Sequence, residues 1–448
     1  MQRLSYPAVR RPRSLVVWFL LIAAVFALTQ LFQVTGRASP DTRHYVSYSL
    51  MLSGQSREQA AAHTIDFYCA SQRARGAQAD RLDLKKFTEP GHGERSYRAC
   101  RKDAENRVRT VTEQGGVSGY MSLFATPRMS AIFVARPAYP AFLVPFIAVL
   151  GVTWGLWAAA IAVTVAASAL VVAVLRTLGA GAPVALAGQV LYYVLPIGAQ
   201  SMRPMTEGLM LVGVLTVVLG CVGVLYRPER SRRWMWAAAA GFALAAAAKY
   251  SQTLLLADCL ALSLLGVAAV RRSRGRPVPR NLTLLLGLCA GVAVLVQTGI
   301  GVLHLPTTRD SMQDLLAFHF SRPDVTDPWH RFLLLNRNFW TEWLRDQCVE
   351  PLTVALLATG IWGALRRGRA LAAVALAVGI AGLVNQAGHP DVSVGPRLMV
   401  LVWVLPVVGL PLLWAGRRAS GQAPGGMVAR QSQAQWPDPG VLAARQDV

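Results

Sequence analysis

Several ionisable residues of this sequence stand at the edges of long apolar runs, where an isolated charge is costly. Asp41 follows the first apolar run, Glu207 opens a later one, and Lys249 ends an alanine run. A carboxylate held at such a place has the chemistry of a general base acting on a hydroxyl group. A lone cation there suits an anionic phosphate group. The residue types therefore indicate proton transfer next to a bound anion.

The two carboxylates each have a second interpretation. Asp41 lies in Ser39-Pro40-Asp41-Thr42-Arg43-His44-Tyr45, so it is also a candidate N-cap for the helix that follows. Glu207 is either a second catalytic carboxylate or a helix cap that pairs with Arg203. Asp41 could fill both of its roles at once, and the residues alone leave both alternatives open for Glu207.

A set of cations and ring side chains shares these positions with the carboxylates. Arg136 opens an apolar stretch, and Arg397 follows Gly395-Pro396 at the start of the last apolar run. Guanidinium groups of this kind can clamp phosphate oxygens. The alternative for each cation is an interfacial side chain whose charge reaches back to water. The predicted substrate-binding residues are Arg136, Tyr139, Arg203, Lys249, Tyr250, His389 and Arg397.

Nucleotide and metal motifs are missing from the sequence. It contains no GxxxxGK[ST], GxGxxG or DxD pattern and no CxxC pair. The pair His389 and Asp391 is too small a ligand set to predict a metal site, because structural and catalytic sites need three or four ligands. We therefore predict neither a metal site nor a cofactor, and a divalent-metal requirement is left open.

The elements that must position these residues are membrane helices. The chain has 448 residues, is 54% apolar and only 15% charged, and a spanning helix needs about 20 apolar residues. The sequence predicts an all-α polytopic membrane protein with about ten crossings. They are 14–33, 154–176, 182–200, 207–225, 234–248, 252–270, 281–303, 351–365, 370–385 and 398–415.

Arginines are sorted onto alternate connections between these runs. The basic segments and the two tails hold 21 Lys and Arg against 3 Asp and Glu. By the positive-inside rule they are cytoplasmic, so both termini are predicted inside. The net charge of +22 is then a topology signal and requires no nucleic-acid partner. The first run lacks a convincing cleavage site, which favours a retained helix over a signal peptide.

This topology divides the chain into segments and places the polar ones on one outer face. A large loop at 34–153 with interfacial helices contains Cys69 and Cys100, which form either a disulfide or two free thiols. The predicted segments are a basic cytoplasmic tail 1–13, the first helix 14–33, the outer loop 34–153, helices two to seven at 154–303, a second outer loop 304–350, helices eight to ten at 351–415, and a disordered cytoplasmic tail 416–448.

The order of these features resembles the C-type integral-membrane glycosyltransferases (GT-C), which include protein O-mannosyltransferases and lipid A aminoarabinose transferases. The resemblance runs from the first span to the last and rests on placement more than on strict motifs. It is carried by Asp41 after the first span, Arg136-Pro137-Ala138-Tyr139-Pro140 at the end of the loop, the turn Arg203 to Glu207, the cation Lys249, and Pro396-Arg397-Leu398.

What the resemblance implies is transfer of a sugar from a polyprenyl-phosphate donor to an acceptor glycan, lipid or protein. Asp41 would deprotonate the acceptor hydroxyl, while Arg136, Lys249 and Arg397 would hold the phosphate. The reaction would occur on the extracytoplasmic face of a bacterial plasma (inner) membrane, as part of cell-envelope synthesis. Three rivals remain: a transporter or lipid flippase, a non-catalytic membrane scaffold, and a transferase that moves a phosphate-bearing group.

Overall fold

The structure, a computed structural model, describes residues 12–82, 91–391 and 395–415. All regular structure within these ranges is helical, which confirms the expected all-α class. Most of the predicted basic tail 1–13 and the whole predicted tail 416–448 lie outside the described residues.

The first apolar run forms helix α1, Pro12–Gln30, which continues into a 3₁₀ turn at Leu31–Gln33. Its side chains are mostly exposed and apolar, as a lipid-facing helix requires. Four helices of the loop follow it. They are α2 (Thr42–Leu52), α3 (Arg57–Leu82), α4 (His92–Glu113) and α5 (Pro127–Val134).

The helices α3 and α4 pack into a small unit with a core of its own. Ile65, Ala104 and Val111 are buried in that core together with Phe124. A disulfide between Cys69 and Cys100 joins the two helices across it, with the Cα atoms 5.5 Å apart. The covalent link supports a unit too small to bury much apolar surface.

The central helices follow in the order α6 to α11. The apolar stretch from Ala138, expected as a surface helix, is continuous with the next span except for a break at Gly151, where φ is +72°. A Cβ at Gly155 would lie 2.6 Å from the Phe146 carbonyl oxygen, so the two halves pack closely. The helices are α6 (Ala138–Thr177), α7 (Ala182–Val194), α8 (Pro196–Ser201), α9 (Thr206–Tyr226), α10 (Ser231–Ser273) and α11 (Arg280–Val302).

Helix α10 has a similar break, at Lys249, whose φ of −161° and ψ of 79° are not helical. A straight helix of 43 residues would be about 65 Å long, roughly twice the apolar thickness of a bilayer. The break separates the runs 234–248 and 252–270 that the sequence predicted as two spans. It also places Lys249 at an end of each half.

Small residues allow α9 and the first half of α10 to approach closely. A Cβ at Gly213 would lie 2.8 Å from the backbone nitrogen of Ala245, and one at Gly220 would lie 2.6 Å from that of Ala238. Membrane helices associate through such close backbone packing, because lipid offers no hydrophobic driving force between them. The contact fixes where Glu207 and Lys249 stand relative to each other.

The remaining helices complete the bundle. Helices α13 and α14 are bent by 88° relative to each other. The helices are α12 (Thr308–Leu316), α13 (Pro328–Val349), α14 (Leu352–Arg367), α15 (Arg369–Ala387), α16 (Gly395–Leu398) and α17 (Val404–Trp414), with a 3₁₀ turn at Val400–Trp403 before the last.

Six helices in the described ranges are long and apolar enough to cross a membrane, and the bent pair would make a seventh. The chain is thus built as a multi-pass α-helical membrane protein. Part of the difference from ten arises because α10, which contains two of the predicted crossings, counts once despite its break. Ala182–Val194 and Val400–Trp414 are also shorter than a usual span. The count of ten stays a prediction.

The bundle has two chemically different ends, which helix α9 connects. Glu207 stands in its first turn, and Arg227 follows its last residue. Arg227 donates to the Thr177 carbonyl at 3.3 Å, and Arg367 donates to that of Leu178, so three basic connections meet at one end. The 21 residues of α9 rise about 32 Å, close to the apolar thickness of a bilayer. The carboxylates therefore lie about one membrane thickness from these arginines.

Candidate functional site

Four charged side chains from distant segments meet at the Glu207 end of the bundle; we call them the ion cluster. Asp41 Oδ2 lies 2.5 Å from Arg397 Nη1. Glu207 Oε1 lies 3.0 Å from Lys249 Nζ and 3.2 Å from Arg397 Nε. Arg397 thus joins both carboxylates, and the four residues form one continuous chain of alternating charge.

Local hydrogen bonds leave the Asp41 carboxylate available for this cluster. Asp41 occupies the N-cap position of α2, but its side chain makes no capping hydrogen bond. The Thr42 hydroxyl instead accepts from the Ser39 backbone N–H at 2.9 Å, and the Thr42 N–H donates to the Ser39 carbonyl at 3.0 Å. The capping interpretation of the Asp41 side chain is therefore wrong.

Glu207 and Lys249 are the most deeply buried members of the cluster. Their side chains are only 2% and 5% exposed. Glu207 projects from the first turn of α9, where Met205 is the N-cap and makes no side-chain capping bond. A buried carboxylate and ammonium tolerate burial only as a pair, because each alone would lose several kcal/mol of hydration. The alternative in which Glu207 caps its helix and pairs with Arg203 does not hold.

The Asp41 carboxyl is strongly biased towards its charged form. Burial alone would raise its pKa, but the charge and hydrogen bond of Arg397 outweigh burial and lower the pKa to about 2. The same pairing raises the pKa of Arg397 further above its already high value, against the effect of its burial. In this state Asp41 is ionised at neutral pH and is a weak base.

Arg136 stands beside the cluster and is held by aromatic residues. Its Nη1 donates to the Tyr45 hydroxyl at 3.0 Å, while its Nε is buried without a hydrogen-bond partner. The Tyr45 ring is 1% exposed and meets the Tyr139 ring edge to face, 5.6 Å between centroids. Tyr139 therefore supports the cation through Tyr45.

The other predicted site residues lie near the cluster but outside its ion pairs. Arg203 is half-buried and feels the charges of Arg397 and Glu207. The Tyr250 hydroxyl donates to the Pro306 carbonyl at 2.7 Å, which ties the break in α10 to the second loop. The His389 carbonyl accepts from Gln386 Nε2 at 3.2 Å. None of these three contacts is an ion pair with a cluster carboxylate.

The structure adds residues that the sequence did not single out. Gln252 follows Lys249 in α10, is 1% exposed, and has both amide atoms buried without a partner. An unsatisfied buried amide costs free energy, so such a group points to a ligand or an ordered water. The Ser39 hydroxyl contacts Met205 Sδ at 2.8 Å and so links the segment before α2 to the start of α9. In the sequence, the signal for Gln252 is a glutamine that closely follows the cation Lys249 within an apolar run.

Within 12–82, 91–391 and 395–415, no three His, Cys, Asp or Glu side chains come together as metal ligands. Both cluster carboxylates are turned towards cations. The cluster is therefore a network of paired charges, in which the cations outnumber the acids once Arg136 is included.

Comparisons with family models, curated proteins and solved structures found no match. The class of the protein therefore rests on its own residues. It is a multi-pass α-helical membrane protein with a buried ion cluster at the bundle end opposite its arginine-rich connections.

Proposed function

We propose that the protein is a membrane glycosyltransferase that moves a sugar from a polyprenyl-phosphate donor to an acceptor hydroxyl on the extracytoplasmic face. The observation that carries the proposal is the ion cluster, in which a general-base candidate and phosphate-binding cations share one buried network. The positive-inside rule supports the extracytoplasmic side, because the arginine-rich connections occupy the other end of the bundle.

The contact between Asp41 and Arg397 suggests how donor binding prepares the base. An arriving phosphate offers Arg397 a second anion, and two parallel N–H donors suit phosphate oxygens. As Arg397 turns to the phosphate, Asp41 loses the interaction that keeps its pKa near 2. Its basicity then rises towards the range in which general-base catalysis is efficient. Binding of the donor thereby makes Asp41 a stronger base.

The chemical step needs one nucleophile and one leaving group. The acceptor hydroxyl oxygen attacks the anomeric carbon, and Asp41 takes the hydroxyl proton. The bond from the anomeric carbon to the phosphate oxygen breaks, and the electron pair leaves with the polyprenyl phosphate. Attack opposite the leaving group inverts the anomeric centre. Arg397, Lys249 and Arg136 stabilise the charge that develops on the phosphate.

Glu207 takes a positioning role in this scheme instead of the role of second catalytic carboxylate. Its Oε1 accepts a hydrogen bond from Lys249 at 3.0 Å and lies 3.2 Å from Arg397 Nε, so its charge holds both cations in place. Preorganised cations cost little reorganisation when the leaving group becomes charged. Gln252, with its unpaired amide, is placed to donate a hydrogen bond to the donor headgroup.

The test is transfer of radiolabelled sugar from a panel of polyprenyl-phosphate sugars by membranes that contain the protein. We expect transfer by the wild type and a loss of at least a hundredfold in Asp41→Asn. Asp66→Asn is the matched control, because Asp66 is a loop carboxylate that is 58% exposed and paired with Arg101. It should keep full activity.

Two results would overturn the proposal. Retained transfer in Asp41→Asn would remove Asp41 as the base. No transfer from any donor, with wild-type protein that is folded, would reject the transferase reaction and favour a transporter or scaffold.

A further inference from the structure

A second group of cations lies apart from the ion cluster, where α1 ends. Arg37 and Arg203 are close enough for their like charges to interact, and Arg203 also feels Arg75. Arg75 Nε donates to the Gly36 carbonyl at 3.0 Å, which holds it next to Arg37. In the described part of the chain, none of the three forms an ion pair with an acid.

The Arg37 guanidinium borders a cavity, and the turn that carries Arg203 forms one of its sides. The cavity has an open mouth and a volume of about 20 Å³, and it is lined by the segment after α1, by α3, by α6 and by the turn before α9. Arg37 lines it directly, and Met202 and Pro204, the neighbours of Arg203, form one side. So small a volume admits one compact group, such as the end of a headgroup, and excludes a large soluble substrate.

Two side-chain donors of the residues that line the cavity are unsatisfied. Arg37 Nε and Trp157 Nε1 are both buried without a hydrogen-bond partner. The opposite edge of the Arg37 guanidinium is held, because Nη2 donates to Gln30 Oε1. Burial and the charge of Arg203 both lower the pKa of Arg37, which shows that its charge is poorly compensated. Two unused N–H donors beside two uncompensated cations favour an anion.

The surroundings indicate that this anion belongs to a lipid. Val34, Phe67 and Leu156 give the cavity apolar walls. Next to it, Phe32 is 94% exposed and the apolar side chains of α1 face outwards. Trp154, which meets Trp157 edge to face at 6.0 Å, is also half exposed, as tryptophans at headgroup depth are. A lipid whose phosphate lies in the cavity could thus place its acyl chains alongside α1.

We propose that this cavity binds the phosphate of a membrane lipid headgroup, held by Arg37 and the Trp157 indole N–H, with the charge of Arg203 beside them. The site is separate from the ion cluster, and its occupation does not require the transfer reaction. Arg203 lies between the two, since it feels Arg397 on one side and Arg37 on the other.

The test is lipid binding by the full-length protein in detergent after removal of co-purified lipid. Native mass spectrometry would count bound phosphatidylglycerol, phosphatidylcholine and inorganic phosphate across a titration. We expect one saturable phosphatidylglycerol equivalent, with phosphatidylcholine binding at least tenfold more weakly. Inorganic phosphate alone should bind at least a hundredfold more weakly, because it lacks the chains.

Two sets of variants connect this binding to the cavity. Arg37→Gln with Arg203→Gln should weaken phosphatidylglycerol binding at least tenfold. Arg98→Gln with Arg109→Gln removes the same charge from α4 side chains that are 76% and 70% exposed, and should leave binding unchanged. Trp157→Phe removes the indole N–H and keeps a smaller aromatic ring, and should weaken binding about threefold.

The proposal is overturned if the α4 variant weakens binding as much as the cavity variant, since the effect would then be general charge. Equal affinity for inorganic phosphate and for phosphatidylglycerol would replace the lipid by a free anion. If the double arginine variant fails to fold, unchanged binding in Trp157→Phe rejects the site. These readouts measure binding, so they are independent of whether sugar transfer is observed.

Discussion

Replacing Glu207 by glutamine tests whether the ion cluster is held by its charges. The glutamine keeps the size of the side chain and its carbonyl acceptor but removes the negative charge. Lys249, at 3.0 Å and 5% exposed, would then be a buried ammonium without a counter-ion. Arg397 would keep Asp41 but lose its contact with the other carboxylate at 3.2 Å.

The expected cost is large because the pair is inaccessible to water. Removing one member of a buried pair typically lowers the free energy of unfolding by about 3–5 kcal/mol, whereas removing both is often neutral. Since proteins have about 5–15 kcal/mol in total, Glu207→Gln alone should be severely destabilised. Lys249→Met alone should also be destabilised, and the double variant Glu207→Gln with Lys249→Met should recover most of the loss.

The assay is denaturant unfolding in mixed micelles for the wild type, the two single variants and the double variant. An exposed ion pair provides the matched control: Arg101 and Asp66 lie 2.9 Å apart with side chains 46% and 58% exposed. The same double-mutant cycle at Arg101 and Asp66 should give a coupling free energy below about 1 kcal/mol. A coupling at Glu207 and Lys249 no larger than this control would refute the reasoning.

Three further perturbations have expected outcomes of their own. His44 is buried and neutral, and its burial lowers its pKa to about 3, so its contribution to stability is complete above pH 6.5 and is lost as the pH falls towards 3. Between pH 7 and 5 the wild type should lose about 2 kcal/mol from this residue, and thermal unfolding of His44→Phe should show a flatter profile. Cys69→Ala opens a link of 31 residues to Cys100, which should cost about 4 kcal/mol and appear as faster proteolysis of α3 and α4; unchanged proteolysis would contradict this. Asp258 is an exposed carboxylate within the apolar second half of α10, so Asp258→Leu should raise the unfolding free energy by about 2 kcal/mol in denaturant unfolding, and a loss of stability would contradict this.

The helical membrane architecture was predictable because its signals are local. Apolar length defines a crossing, and the sorting of arginines defines which ends share a side. These sequence signals predict that one end of the helix bundle holds Asp41, Glu207, Lys249 and Arg397. The structure brings all four into one network.

The pairing within that network was not predictable. Asp41 and Arg397 are separated by 356 positions, and their contact depends on how the bundle packs. Sequence reasoning assigned one to the base and the other to the phosphate, and did not anticipate that they would bind each other without a donor. The cavity that Arg37 and Trp157 line was not predictable either. Arg37, Trp157 and Arg203 have no common motif and come together only through the packing of their segments.

The measurement that tests the central claim most directly separates donor binding from transfer in the purified protein. Wild type and Asp41→Asn would be compared in lipid nanodiscs for donor affinity and for single-turnover transfer. If Asp41 is a base that Arg397 restrains until phosphate arrives, the variant should bind donor as tightly as the wild type or more tightly, because Arg397 is released. Its transfer rate should fall at least a hundredfold. Transfer within tenfold of the wild-type rate, or loss of donor binding with an unchanged rate at saturation, would contradict the account.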